Sequence, residues 1–258
     1  MPDLNVTLIQ TELVWENISA NLSAFDRLID TVPPASDLII LPEMFTTGFS
    51  MKPEPLAQEM DGSSVHWILG KAAERDCDMV GSVIIRSENG CYNRLLWAKP
   101  DGSLHTYDKK HLFRMAGEEK VYRAGSELLT VSLKGWRIRP FICYDLRFPI
   151  WTRNIDNQYD VALFVANWPE PRSAHWQTLL MARAIENQSY VVGVNRVGTD
   201  GNAIAYSGDS CVVTPLGERR LHMRHMTGIQ TVTLSAADLK NYRESFPAWM
   251  DADGDMIQ

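Results

Sequence analysis

Two uninterrupted apolar runs constrain the fold of this chain more than any other feature of its sequence. Residues 38–41 read LIIL and residues 161–166 read VALFVA, and each run is bounded by polar residues or proline. A run of this length is typical of a strand that is buried on both faces, because a strand with one solvated face alternates apolar and polar residues. The sequence therefore predicts strands in the interior of the molecule.

The rest of the chain mixes predicted helices with predicted hairpins. Leu22, Phe25 and Ile29 recur at the spacing of an amphipathic helix. Further helices are predicted from Ser63 or Ser64 and from Ser173, which are suitable N-cap residues. Consecutive strands are joined by short turns at 88–90 and 134–135. Purely parallel winding does not fit these hairpins, so the sequence predicts an α/β fold with mixed sheets.

Domain organisation follows from what the sequence lacks. We find no internal repeat, low-complexity segment or linker, so residues 1–258 are predicted to form a single domain with a C-terminal tail from about 245. Apolar residues at 246–250 indicate that this tail packs on the body of the protein or on a partner subunit.

The net charge and the spacing of the cysteines argue against several classes of function. The net charge is -7 and the pI is near 5.4, which argues against a nucleic acid or an anionic membrane as partner. Apolar runs are strand length and no secretory signal is evident, so we expect a cytoplasmic protein. Four scattered cysteines without metal-ligand spacing predict free thiols and no metal site.

Three predicted strands end on chemically capable side chains. Glu43 follows LIILP, Lys109 ends the stretch LHTYDK, and Cys143 ends the strand in RPFICYDLRFP. Each has an ordinary structural interpretation alone: a capping or surface carboxylate, a solvated lysine, and a small buried thiol. Together they provide a base, a cation and a nucleophile, which covalent acyl transfer requires.

The segments LPEMFTTGF, YDKKHLF and CYDLRFP, in this order, resemble the three signature blocks of the nitrilase superfamily of carbon–nitrogen hydrolases. The resemblance covers nearly the whole chain and extends to VANWP, ARAIENQ and YVVGVNRVG, and it is greatest to the ω-amidase branch. It implies a four-layer α-β-β-α sandwich, a homodimer and no cofactor.

The resemblance also implies a role for individual residues. Cys143 matches the nucleophile and Glu43 the general base. Lys109 precedes the histidine of KKHLF by two positions, which selects it over Lys110 as the oxyanion-stabilising lysine. Glu118 matches the family's second glutamate, and Glu119 is one residue out of register. The backbone N–H of Tyr144 is implied as the other oxyanion donor.

For the ω-amidase branch the implied substrate is the terminal amide of a short α-keto dicarboxylate, such as 2-oxoglutaramate or 2-oxosuccinamate. Because the net charge repels an anion at long range, a local cation must receive the substrate carboxylate. The candidates are Arg147 and Arg172, each of which could instead form a structural ion pair. Asn167 and Trp168 are further candidate substrate-binding residues, and Tyr144 and Trp168 would form an apolar wall.

Four alternatives remain open at this point. A true nitrilase typically carries Trp-Glu after the cysteine, whereas this chain has Tyr144-Asp145. A general small aliphatic amidase or an acyltransferase would use the same triad, although acyltransferase branches usually carry membrane segments. A thiol-sensing or interaction protein would not need Glu43 and Lys109 together with Cys143.

Overall fold

The structure, a computed structural model, describes residues 1–252, and it consists of two stacked sheets with helices on their outer faces. Residues 253–258, the acidic end of the predicted tail, lie outside the described residues. The strands are β1 Leu4–Gln10, β2 Leu38–Ile40, β3 Asp78–Ser87, β4 Gly90–Ala98, β5 Leu104–Asp108, β6 Val131–Leu133, β7 Trp136–Ile142, β8 Val161–Ala166, β9 Tyr190–Asn195, β10 Val197–Thr199, β11 Ala205–Val213, β12 Arg219–Arg224 and β13 Gly228–Leu234. The helices are α1 Ile18–Ile29, α2 Pro53–Leu56, α3 Ser63–Arg75, α4 Glu118–Val121, α5 Pro149–Thr152, α6 Ser173–Glu186 and α7 Ala236–Ser245.

Both sheets are mixed, as the hairpins in the sequence predicted. Within residues 1–252 the first sheet has the order β13-β1-β2-β3-β4-β5, with parallel pairing only in β1-β2 and β2-β3. The second sheet has the order β10-β11-β9-β8-β7-β6, and β12 pairs with β11. Its parallel centre is formed by β7, β8 and β9. The carboxyl ends of these central strands therefore lie at one edge of each sheet.

Successive side chains of each central strand face opposite sides of its sheet, and the two sides pack against different layers. Leu38 and Ile40 of β2 pack in the core that the two sheets share, whereas Ile39 packs in a second core with Phe25 of α1 and Ile68 of α3. Burial of each of these side chains contributes about 1.5–3 kcal/mol. The run LIIL is thus apolar throughout because both of its faces are covered.

Helix α6 covers the outer face of the second sheet and approaches it closely. A Cβ atom at Gly193 of β9 would lie 2.6 Å from Leu180 Cδ1 and 2.8 Å from Trp176 Cζ2, so this contact requires glycine. The α-β-β-α order of layers follows, with α1 and α3 on the other side. No helix among the described residues has the length and apolar character needed to cross a membrane.

Local details differ from the predicted ones at the element ends. Gly62 occupies the N-cap position of α3, and Ser173 donates its hydroxyl to Asp209 Oδ2 (2.7 Å) instead of capping α6. Strand β12 was not predicted, because its sequence RRLHMR is polar and mostly exposed. At the C-terminal end, Gln188 binds the backbone of Phe246 (2.7 Å) and Trp249 (2.9 Å), so this segment packs on the body of the protein.

Candidate active site

The three strand-end residues singled out in the sequence lie together at the carboxyl edges of the two sheets. Glu43 comes three residues after β2 and Lys109 directly after β5, both in the first sheet, whereas Cys143 directly follows β7 of the second. The Glu43 and Lys109 side chains are 0% exposed, and Cys143 is 9% exposed. The site is therefore assembled by the stacking of the sheets.

Lys109 is the centre of a buried charge cluster. Its Nζ donates to Glu43 Oε1 at 2.9 Å and to both carboxylate oxygens of Glu118 at 3.0 Å. Glu118 Oε2 also accepts the backbone N–H of Phe113 at 2.5 Å. Charges buried in this way are tolerated only when they are paired and hydrogen-bonded, so the three side chains depend on one another.

Glu43 is oriented by two asparagines. Asn93 Nδ2 donates to Glu43 Oε1 at 2.8 Å, and the backbone N–H of Asn167 donates to Oε2 at 2.7 Å. Asn167 Nδ2 also donates to the backbone oxygen of Glu43 at 2.5 Å. Sequence reasoning missed Asn93, although an asparagine in the middle of the predicted strand CYNRLLWA (91–98) could have drawn attention to it.

Cys143 occupies a strained position. Its φ is +43°, in the left-handed region that non-glycine residues rarely adopt, and it starts the one-turn helix Cys143–Arg147. Burial raises the pKa of the Cys143 thiol, the Glu43 charge raises it further, and Lys109 partly opposes both. The thiol is therefore protonated at neutral pH, and its reaction as a nucleophile needs a base.

The electrostatic surroundings of Lys109 and Glu118 raise the pKa of both groups and keep the lysine charged. Burial alone would lower the pKa of Lys109, but Glu118 and Glu43 hold it above its ordinary value. Burial raises the pKa of Glu118, although the Lys109 charge counteracts the shift. Lys109 thus keeps its proton over the whole physiological range.

A cavity of about 380 Å³ opens above this cluster. Of the predicted site residues, it is lined by Lys109, Cys143, Tyr144, Arg147, Asn167, Trp168 and Arg172. Glu43 and Glu118 lie behind Lys109 and do not line the cavity. Lining residues that the sequence did not suggest include Trp15, Phe49, Phe113, Asp200 and Tyr206. Within residues 1–252 no cluster of three or more His, Cys, Asp or Glu side chains is arranged to hold a metal ion.

One side of the cavity carries two arginines, and we call Arg147, Trp168 and Arg172 the arginine wall. The Arg147 guanidinium lies 4.7 Å from the Trp168 ring centroid, and the Trp168 indole N–H donates to the Arg172 backbone oxygen at 2.8 Å. The Arg172 guanidinium lies 5.4 Å from the Phe113 ring centroid. Among the described residues, no carboxylate lies within 4 Å of either guanidinium. Within the described part of the chain, the Arg147 guanidinium donates only to His175 Nδ1, at 3.1 Å.

Comparisons with known proteins agree with this geometry. Residues 5–244 match the carbon–nitrogen hydrolase family model. The chain is 51% identical to omega-amidase YafV of Escherichia coli K12 over 98% of both chains. It is 31% identical to 2-oxoglutaramate amidase of Bacillus subtilis, over 97% of this chain and 98% of that protein. The crystal structure of a CN-hydrolase superfamily protein from Xanthomonas campestris, with an arsenic adduct in its active site, superposes with a TM-score of 0.97 at 47% identity over 98% of both chains.

The chain therefore belongs to the carbon–nitrogen hydrolase family, and its fold is that of the nitrilase superfamily.

Proposed function

We propose that this carbon–nitrogen hydrolase is an ω-amidase, which hydrolyses the terminal amide of short α-keto dicarboxylate monoamides such as 2-oxoglutaramate and 2-oxosuccinamate. The observation that carries the proposal is the cavity itself, which is lined by the Cys143 thiol, by the charged Lys109 and, on one wall, by two arginines that have no carboxylate partner among residues 1–252. The relatives named omega-amidase and 2-oxoglutaramate amidase support the same substrate class.

In the first half of the proposed reaction, Glu43 removes the thiol proton as Cys143 attacks the amide carbonyl. A base is required because the pKa of the thiol is raised by burial and by Glu43. The Lys109 ammonium and the backbone N–H of Tyr144 stabilise the tetrahedral oxyanion. Tyr144 lies in the first turn of the short helix at Cys143–Arg147, where backbone N–H groups have no partner within the helix.

Collapse of the tetrahedral intermediate breaks the C–N bond. The proton that Glu43 took from the thiol goes to the departing nitrogen, so ammonia leaves and a thioester remains on Cys143. In the second half Glu43 takes a proton from water, which attacks the thioester carbonyl, and the proton returns to the departing thiolate. The net reaction consumes one amide and one water and releases one carboxylic acid and one ammonia.

Asn167 supports an amide rather than a nitrile as substrate. Its side-chain nitrogen is committed to the backbone oxygen of Glu43, which leaves Oδ1 as the remaining acceptor of this side chain. Asn167 Oδ1 is buried and has no partner among the described residues, and Asn167 lines the cavity. An amide N–H could satisfy this oxygen, whereas a nitrile has no hydrogen to donate, and unpaired buried acceptors are costly.

The arginine wall supports a carboxylate at the other end of the substrate. Arg147 and Arg172 have no carboxylate partner within 4 Å among the described residues, so the structural ion pairs considered above are absent there. Guanidinium groups bind carboxylates through paired, charge-assisted hydrogen bonds. An α-ammonium group, as in glutamine, would be repelled by the same wall.

Ammonia release from a substrate panel tests the proposal. We expect the highest kcat/KM on 2-oxoglutaramate, and lower values on propionamide, hexanamide, glutamine and propionitrile. A preference for neutral amides or nitriles would contradict the ω-amidase assignment and leave a general small aliphatic amidase or a nitrilase. If no amide or nitrile is hydrolysed, a thiol-sensing or interaction role gains support.

We further propose that the protein acts in the cytoplasm as a homodimer. Exposed apolar side chains at Ile150, Ile185 and Leu216, which are 73%, 48% and 58% exposed, support association of two copies. Light scattering at micromolar concentration should give twice the chain mass of 29.2 kDa. A monomer mass would remove the dimer proposal without affecting the proposed chemistry.

A further inference from the structure

Asp145, two residues after Cys143, is a buried carboxylate to which the proposed chemistry assigns no step. Its side chain is 0% exposed and does not line the cavity. Asp145 Oδ1 accepts the backbone N–H of His111 at 2.9 Å and His111 Nδ1–H at 2.8 Å. Asp145 Oδ2 accepts the Tyr107 hydroxyl at 2.6 Å and the backbone N–H of Ile142 at 3.0 Å.

The donors to this carboxylate surround two of the proposed catalytic residues. Tyr107 and His111 lie two residues before and two residues after Lys109, and Ile142 directly precedes Cys143. Lys109 follows a strand of the first sheet, whereas Cys143 follows a strand of the second. One carboxylate therefore joins the two strand ends that carry the lysine and the thiol.

Two features of the surroundings indicate that the backbone on both sides of Asp145 is held in place. Cys143 has a φ of +43°, and such a backbone conformation persists only when neighbouring contacts hold it. The Asp145 backbone oxygen accepts the N–H of Phe148 at 3.0 Å, which closes the turn on its other side. Among the described residues no lysine or arginine lies within 4 Å of the Asp145 carboxylate. The hydrogen bonds to Asp145 must therefore stabilise its buried negative charge.

We propose that Asp145 is a positioning residue that sets the placement of the Lys109 ammonium relative to the Cys143 sulfur. The inference rests on the proposed function, because it assumes that these two groups act on the same substrate carbonyl. Asp145 acts through Tyr107, His111 and Ile142 and does not touch the substrate. A displacement of about 1 Å between reacting groups can cost about 100-fold in rate, so a link of this kind controls turnover.

The decisive variant is Asp145→Asn, which keeps the shape of the side chain. An amide can accept hydrogen bonds only through its oxygen, so its NH₂ group would face either the His111 donors or the Tyr107 and Ile142 donors. We expect kcat to fall about 100-fold, with KM changed by less than about threefold. The loss should be equal on 2-oxoglutaramate and propionamide, because the arginine wall is not affected.

Asp160→Asn is the matched control. Asp160 is also buried and also accepts four hydrogen bonds, from Arg137 and Arg243, but it lies away from the cavity. This variant should lower the melting temperature and keep kcat within about twofold of wild type. Tyr107→Phe is a milder variant that removes one donor to Asp145 and also the acceptor of the Trp151 indole N–H (3.0 Å), and it should lower kcat about fivefold at constant KM.

The outcomes separate the inference from the proposed function. If the wild type hydrolyses 2-oxoglutaramate and Asp145→Asn has an unchanged kcat, the positioning role is wrong and the proposed function still stands. An equal loss of kcat in Asp160→Asn, or a loss that only follows the folded fraction, would also overturn the positioning role. If Asp145→Asn does not fold, Tyr107→Phe decides, and unchanged kcat in that variant counts against the inference. A wild type that is inactive on all amides, or that prefers neutral amides or nitriles, would contradict the proposed function itself.

Discussion

Two regions of the cavity differ in how their charged groups are paired: the floor, formed by Lys109 and Cys143, and the arginine wall. At the floor, Lys109 is fully buried and its ammonium is shared between Glu43 and Glu118 at 2.9–3.0 Å. On the wall, Arg147 and Arg172 are partly exposed and have no carboxylate within 4 Å among the described residues. Charges that are paired inside the protein hold a fixed geometry, whereas unpaired ones remain available to a ligand. The difference supports our proposal that Cys143 and Lys109 carry out the chemistry and that the arginine wall recognises the substrate.

The largest expected effect is at the floor, where Cys143→Ala should abolish turnover and keep the fold. Alanine removes the proposed nucleophile, whereas the neighbouring Lys109 remains paired with Glu43 and Glu118. Ammonia release on 2-oxoglutaramate and circular dichroism measure the two properties. Normal hydrolysis by a pure sample of this variant would show that the thiol is not the nucleophile.

Thiol labelling gives an independent test of the same residue. Burial raises the pKa of Cys77 and of Cys211 to about 12 in each case, and it also raises that of Cys91. Of these thiols only Cys143 lines the cavity among the described residues and has Glu43 beside it. Iodoacetamide should therefore label Cys143 first, and mass mapping that finds all four labelled equally would contradict an activated thiol.

The second prediction compares two adjacent lysines. Lys109→Ala should cost about 3 kcal/mol of transition-state stabilisation, as removal of an oxyanion donor does. Lys110→Ala should change kcat/KM little, because its ammonium lies over the Trp151 ring at 5.1 Å and does not line the cavity. Steady-state measurement of kcat/KM for both variants tests this prediction. The reverse order of effects would show that the lysine was assigned one position out of register.

The third prediction concerns the wall. Arg172→Met should lower kcat/KM on 2-oxoglutaramate about tenfold or more, because a charge-assisted hydrogen bond contributes about 1.5–3 kcal/mol. Arg147→Met should have a smaller effect, since one of its donors is already committed to His175. Neither variant should change kcat/KM on propionamide more than about twofold.

Arg153→Met is the control for this pair, since Arg153 bears the same charge but does not line the cavity. It should behave as wild type on both substrates. If both wall variants lose activity equally on 2-oxoglutaramate and propionamide, the wall does not recognise a carboxylate. The floor chemistry would then still stand, and the substrate class would have to be revised.

The smallest expected effect is a shift in pH dependence. Burial holds the pKa of Glu118 above its ordinary value of 4.5, so this carboxylate takes up a proton at higher pH than a free glutamate. Its pairing with Lys109 is then lost as the pH falls, and kcat should decline on the acid side. Glu118→Gln should lower the plateau of kcat and move this decline to lower pH, measured between about pH 4 and pH 8. An acid limb at the same pH in both proteins would exclude Glu118 as its origin.

The sequence by itself determined the strand ends. Apolar runs such as LIIL and VALFVA are local signals, because burial on both faces requires apolar residues at every position. The residues where these runs stop, Glu43 and Asn167, and likewise Cys143 after its strand, could therefore be placed at element boundaries without a structure. The family resemblance then provided the roles, and the comparisons confirm the family and the fold.

Only the tertiary structure decided which of these ends meet and which charges remain unpaired. Asn167 binds Glu43 across 124 positions of sequence, and Asp145 accepts from Tyr107, because the two sheets stack with their strand ends close together. Asn93 reaches Glu43 within the first sheet, from a strand that lies 50 positions away in sequence. No local pattern distinguishes an arginine that finds a carboxylate from one that does not. That outcome depends on which side chains the packing brings within hydrogen-bond reach, and contacts between distant residues are set by the whole fold rather than by any segment of it.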